Sequence, residues 1–241
     1  MAAMRARRLA SIAVVACLGL GVLTGCQVES GKAAIIGGTS FTDDQVTEIY
    51  EGAQQASAAE PTPSASPGPA AAPLVSRQKV VDLLVSLELG RRIVEEKKFP
   101  APEQATNPEE IAAALGAPPQ SEYVKLWAAW LDVQNTIVEH TPRVGLTDEG
   151  IMQVYEALVR SNAIQGGMNI TQVREAFGAA IFAEAATLVS TSLGAEVEKV
   201  DAEINPKYQP LGAPLAVNTQ QGPVFYSLPY VSSDMVTDVS L

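Results

Sequence analysis

Cysteine is almost missing from this chain, and the little there is lies at one end: Cys17 and Cys26 are the only two. Beyond residue 26 no thiol remains to form a disulfide, ligate a metal or act as a nucleophile. Histidine is scarcer still, with His140 alone. The common zinc sites draw several ligands from Cys and His, and a Ser-His-Asp relay would have to be built on this one imidazole. His140 falls at the end of an apolar-striped helix, just before Thr141-Pro142, a place where a cationic side chain suits the helix dipole; it reads as structural. Positive charge is also short, with 16 Lys and Arg against 27 Asp and Glu and a net charge of −11. That balance argues against nucleic acid as a partner, because phosphate binding needs a basic surface. It also gives little electrostatic hold on an anionic bilayer. No phosphate-binding Gly loop, no paired catalytic constellation and no internal repeat occurs. The side-chain inventory predicts a protein that is not an enzyme and takes no metal and no cofactor.

What is present begins with Arg5, Arg7 and Arg8, followed by an apolar run from Leu9 to Leu23. The run is short for a membrane span, which needs about 20 apolar residues, and has the layout of a secretory signal. It ends in Leu23-Thr24-Gly25-Cys26, which looks like the bacterial lipobox. That resemblance implies cleavage before Cys26 and a diacylglyceryl group on its thiol. Residues 1–25 are then the lipoprotein signal peptide and 26–32 a lipidated tether. Two or more acyl chains anchor stably where one does not, so the expected location is the outer, extracytoplasmic face of the cell membrane.

The rest of the chain is patterned for helices. Thr42 with Gln45 forms a capping box that starts a helix ending near Gln54. Residues 53–73 are rich in Pro and Ala and poor in large apolar side chains, as expected of a flexible insertion. A long helix is predicted from Ser76 to Lys98, with Val80, Leu83, Leu84, Leu87 and Val94 on its apolar stripe. Its basic end (Arg91, Arg92, Lys97, Lys98) reads as a solvated face. Asn107-Pro108 opens a short helix, and Ser121–Glu139 forms another, on which Tyr123, Trp127 and Trp130 read as core rather than as a ligand cage. Thr147 caps a further helix. A last long one is predicted from Thr171 to about Leu193, with Gly194 as its cap. Ala33–Gly37 and Val197–Ile204 are the strong strand candidates. Short strands need partners, so these two are expected to pair and close the domain. A loosely ordered tail is expected over 209–241. Acid pairs such as Asp43-Asp44 read as helix-end charge.

Three segments carry a family resemblance: Ile35-Ile36-Gly37-Gly38-Thr39-Ser40-Phe41-Thr42, then Arg77 through Arg91, then Val200-Asp201-Ala202-Glu203-Ile204-Asn205-Pro206-Lys207-Tyr208. Together they resemble the N-terminal chaperone module of SurA/PrsA-type envelope foldases, in an actinobacterial lipoprotein form, with Lys207 where the family usually has Arg. The resemblance implies a mainly α (α+β) domain over 33–208, closed by its terminal strands. Family members with isomerase activity insert a parvulin domain before the final helix. The span between Thr147 and Thr171 has no room for one, so isomerase activity is not implied. The expected function is a membrane-anchored holdase for unfolded exported proteins, with client-binding residues unassigned. The alternative is a structural adaptor holding one dedicated protein partner in the cell envelope.

Overall fold

A run of apolar residues interrupted by only a few polar ones, from Val80 to Ile93, dictates where the centre of the molecule lies. In the computed structural model, which describes residues 31–54, 75–177, 181–219, 222–230 and 236–238, this run is helix α2 (Arg77–Lys97). Val80, Val81, Leu83, Leu84, Val85, Leu87, Leu89 and Ile93 are all buried. A helix apolar on nearly all sides must be surrounded, and α2 is. The helices α1 (Asp43–Gln54), α4 (Glu122–His140) and α7 (Ile181–Lys199) pack on it. Ser76 caps its start, its hydroxyl accepting from Lys79 N, and Lys98 ends it in the left-handed conformation. Helix α4 comes close to α2 at Gly90, where a Cβ would stand 2.5 Å from Val133 Cγ1 and 2.9 Å from Trp130 Cζ3. The signal segment, Cys26 and most of the tether lie outside the described residues. So does the Pro/Ala-rich insertion, apart from Ala53 and Gln54, which belong to α1.

The remaining helices are α3 (Pro108–Leu115), α5 (Asp148–Arg160) and α6 (Ile170–Phe177). Among the described residues the chain is mainly helical, with short antiparallel strands. Strand β1 (Lys32–Ile36) is central in a three-stranded sheet, between β2 (Thr39–Thr42) and β4 (Ala202–Ile204). Gly37 and Gly38 have φ of +50 and +93, the two positive values that a tight two-residue hairpin turn requires. Arg92 closes over this turn, its Nη2 donating to Gly37 O at 3.0 Å and its Nε to Glu88 Oε1 at 3.1 Å. It is therefore a structural clip and not part of a wholly solvated face.

The two terminal strands do pair, antiparallel, with Ala34 opposite Ile204 and Ile36 opposite Ala202. The later partner is shorter than expected. Residues 197–199 belong to α7, because Leu193 and Glu196 carry the buried face of that helix past Gly194. The predicted single helix from Thr171 is two, α6 and α7, meeting at 104°. Val173 of α6 packs with Ile151 and Tyr155 of α5, whereas α7 packs on α2, α4 and α5. No single helix among the described residues is long and apolar enough to cross a membrane.

The largest correction is at the C-terminal end. Where the sequence suggests a loose tail, β5 (Gly212–Thr219) and β6 (Gly222–Pro229) form an antiparallel hairpin. Ala213 faces Leu228 and Leu215 faces Tyr226 across it, and all four are buried. Alternation with period two puts these residues on one face, and that face lies on the helical body. The Trp130 indole N–H donates to Pro214 O at 2.6 Å and Ser190 Oγ donates to Pro229 O at 2.6 Å. Further on, β7 (Val236–Asp238) pairs with β3 (Val144–Leu146).

Candidate functional site

Helix α1 buries Val46, Ile49 and Ala53. Asp44, Glu48 and Glu51, spaced four and three residues apart, necessarily share another face. With Glu122 of α4 they line an open groove of about 770 Å³ between the two helices, over Ile49, Leu84 and Leu126. The lining of the groove is thus mixed, carboxylates beside a few apolar side chains. Arg77 bounds the neighbourhood, its guanidinium 4.7 Å from the Tyr50 ring centroid. A second, smaller groove of about 350 Å³ lies between α4 and α7, where Val138, Ala185 and Leu188 meet Ile181. At 63% exposure, Ile181 is the one large apolar side chain exposed among the described residues.

The three segments that carried the family resemblance converge in space. Asn205 Nδ2 donates to Lys32 O at 3.0 Å, and Asn205 N donates to Ala33 O at 3.0 Å. Lys207 Nζ reaches Asp43 Oδ2 at 2.6 Å and Tyr208 OH donates to Asp43 Oδ1 at 3.0 Å. Gln78 Nε2 of α2 donates to Tyr208 O at 2.9 Å. Asp43 is thus more than helix-end charge. The hydrogen bond from Lys207 holds its carboxyl below the usual range, against the opposing effect of partial burial.

Asp82 escaped the reading of the sequence, although an acid inside Val80-Val81-Asp82-Leu83-Leu84-Val85 is itself a signal. It is 4% exposed. Its Oδ1 accepts from Gln78 Nε2 at 2.8 Å and from Gly212 N at 3.3 Å, and its Oδ2 lies 3.3 Å from Ser227 Oγ. Burial pushes its carboxyl up to about 7 against the lowering effect of these hydrogen bonds and of Lys79. The cavity it lines with Lys79, Tyr123, Trp127 and Tyr226 measures only about 20 Å³, room for one water and no substrate.

Tyr123, Trp127 and Trp130 are core side chains, between 0% and 4% exposed, as their spacing suggests. His140 ends α4 with its Nδ1 3.1 Å from Thr136 O and its ring against Phe99, a structural placement. No group of three or more His, Cys, Asp or Glu among the described residues is placed to hold a metal ion. Cys26, the one site residue assigned from sequence, lies outside the described residues. The grooves were not legible beforehand, because no motif marks them and they exist only once α1, α4 and α7 are docked. Comparison with family models, with curated proteins and with solved structures found no match to this chain.

Proposed function

We propose that this chain is a lipid-anchored extracytoplasmic protein that holds unfolded segments of exported proteins and does not isomerise prolines. The observation that carries this reading is the groove between α1 and α4. A mixed lining of Ile49, Leu84 and Leu126 with Asp44, Glu48, Glu51 and Glu122 suits extended segments in which apolar residues alternate with Lys or Arg. Apolar contact gives affinity without sequence specificity, and rim carboxylates add a salt-dependent attraction. The resemblance to SurA/PrsA-type modules points the same way, and the Leu23-Thr24-Gly25-Cys26 segment supplies the anchor.

A second reading, an adaptor for one dedicated partner, draws on Ile181. Broad client surfaces expose large apolar patches. A single exposed Ile beside Val138, Ala185 and Leu188 fits one complementary partner better than many.

The test is suppression of aggregation of a denatured exported protein by the purified lipoprotein in mild detergent, beside a proline-limited refolding assay. The holdase reading expects suppression at a few-fold molar excess, weakened by Glu48→Lys with Glu51→Lys, and no acceleration of refolding. Absence of suppression, with one stoichiometric partner recovered by crosslinking in cells, would replace it by the adaptor. Membrane fractionation of Cys26→Ala checks the anchor separately: the variant should lose its lipid and its lipoprotein-type cleavage.

A further inference from the structure

Ile181 is the one large apolar side chain left exposed among the described residues. A surface that holds unfolded chains needs a broader apolar patch, so on the holdase reading part of it is covered in the resting fold. Among the described helices α6 has the fewest buried side chains: of its eight residues Val173 alone is buried. Val173 lies against Ile151 and Tyr155 of α5, in a small cluster with Met152, Val159 and Phe177 partly buried around it. Residues 151, 155 and 159 recur every four positions and so share one face of α5.

Helix α6 makes its own cap. Asn169 Oδ1 accepts from Gln172 N at 3.0 Å, and Gln172 Oε1 accepts from Asn169 N at 2.9 Å, so its first turn draws nothing from α5. Its ties to the body are few. Met168 N donates to Tyr155 OH at 2.9 Å, and Arg174 pairs with Asp148 with both side chains more than half exposed. The Phe177 ring stands 6.4 Å from that of Tyr155 and 5.6 Å from that of Phe182 on α7, centroid to centroid. An exposed ion pair contributes little. Gly166 and Gly167, just before α6, are both exposed, Gly167 at φ +109. A self-capped helix held by one buried side chain opens as a unit, far more readily than the core unfolds.

We propose that the face of α5 under α6, centred on Ile151 and Tyr155, is a binding site for apolar segments of client chains, and that α6 is its resident occupant, displaced when a client binds. The proposal rests on the holdase reading and adds to it a second surface and a cover. Helix α6 itself shows what the site accepts: Val173 and Phe177, one turn apart, with Arg174 set against Asp148. The client class is therefore an amphipathic segment with apolar side chains one helical turn apart and a basic residue beside them.

A covered site binds with an affinity reduced by the fraction of molecules that are open. Loosening α6 must therefore tighten client binding. The experiment uses the full lipoprotein in mild detergent and, as probe, an exported protein reduced and carboxymethylated so that it stays unfolded. Wild type is compared with Val173→Asn, which puts an amide where a valine is buried, and with the milder Val173→Ala. Hydrogen exchange is followed by mass spectrometry with and without the probe. Probe binding should tighten in the order wild type, Val173→Ala, Val173→Asn, by about tenfold or more at the end of the series. In wild type the probe should speed exchange across 170–177 and slow it across 151–159. Should Val173→Asn fail to fold, Val173→Ala and the wild-type exchange pattern decide. Probe bound with exchange across 170–177 unchanged, and with equal affinity in wild type and variants, would overturn the proposal and leave the holdase reading to the α1–α4 groove. Absence of probe binding in wild type and both variants would overturn the two together.

Discussion

Two carboxyl groups fasten the last part of the chain to its first helices, and they do so by opposite physics. Asp43 sits at the rim, its side chain 26% exposed, where it meets the full charge of Lys207 and the hydroxyl of Tyr208. Asp82 sits in the interior against a backbone N–H, an amide and a hydroxyl. At the rim water still screens the charges, so the ion pair is cheap to form and of small net value. In the interior burial dominates and raises the carboxyl to about 7, against the lowering effect of its hydrogen bonds and of Lys79. The two therefore respond to pH in opposite directions. The Asp43 contribution is present above 3.8 and is lost as pH falls below that value, because its folded affinity for a proton is lowered. The Asp82 contribution is present in acid and fades towards neutrality.

The comparison breaks most severely if the hairpin is removed. Truncation after Leu211 strips Leu215, Tyr226 and Leu228 from the core and leaves α2 and α4 partly bare. Loss of cooperative thermal unfolding is expected by calorimetry; a truncated chain with an unchanged melting temperature would show that the hairpin is ornamental. The next effect in size is Trp130→Phe. The indole is fully buried and its N–H is given to Pro214 O, so the variant opens a small void and strands an acceptor. A loss of about 2–3 kcal/mol is expected in urea unfolding, and a change under 0.5 would show that the α4 contact to β5 carries little. The smallest effect is at the rim. Asp43→Asn should cost less than about 1 kcal/mol, and that cost should shrink when the measurement is repeated at high salt. An effect as large as that of Trp130→Phe would place Asp43 among the interior determinants.

The same contrast marks what the sequence makes legible. Helix caps at Thr42, Ser76, Asn107, Ser121 and Thr147 are local hydrogen bonds between near neighbours, and each is found where its residue type announces it. The long α2 and the pairing of β1 with β4 were legible from apolar runs and from the rule that isolated strands need partners. The hairpin was hidden by Pro214, Pro223 and Pro229, which read as breakers. In a two-stranded ribbon both strands are edges, and edges tolerate Pro. The alternation of Ala213 and Leu215 against Tyr226 and Leu228 was the overlooked signal. The break between α6 and α7 was illegible for another reason: one apolar stripe runs through both, and only the docking of α7 on α2 and α4, which α6 does not share, sets them apart. Asp82 and the groove depend on segments far apart in sequence, and composition has no access to such juxtapositions.

The place of β1 in its sheet also sets a schedule. Strand β1 finds β2 at once through the Gly37-Gly38 turn, but its other edge waits for Ala202–Ile204, which follows α1 to α7. A chain made or threaded from its N-terminus therefore carries an unfilled sheet edge beside Ala34 and Ile36 until nearly the whole protein has emerged. Contacts so distant in sequence are entropically slow to close. The sheet that holds β1 is thus among the last parts of the described fold to be completed.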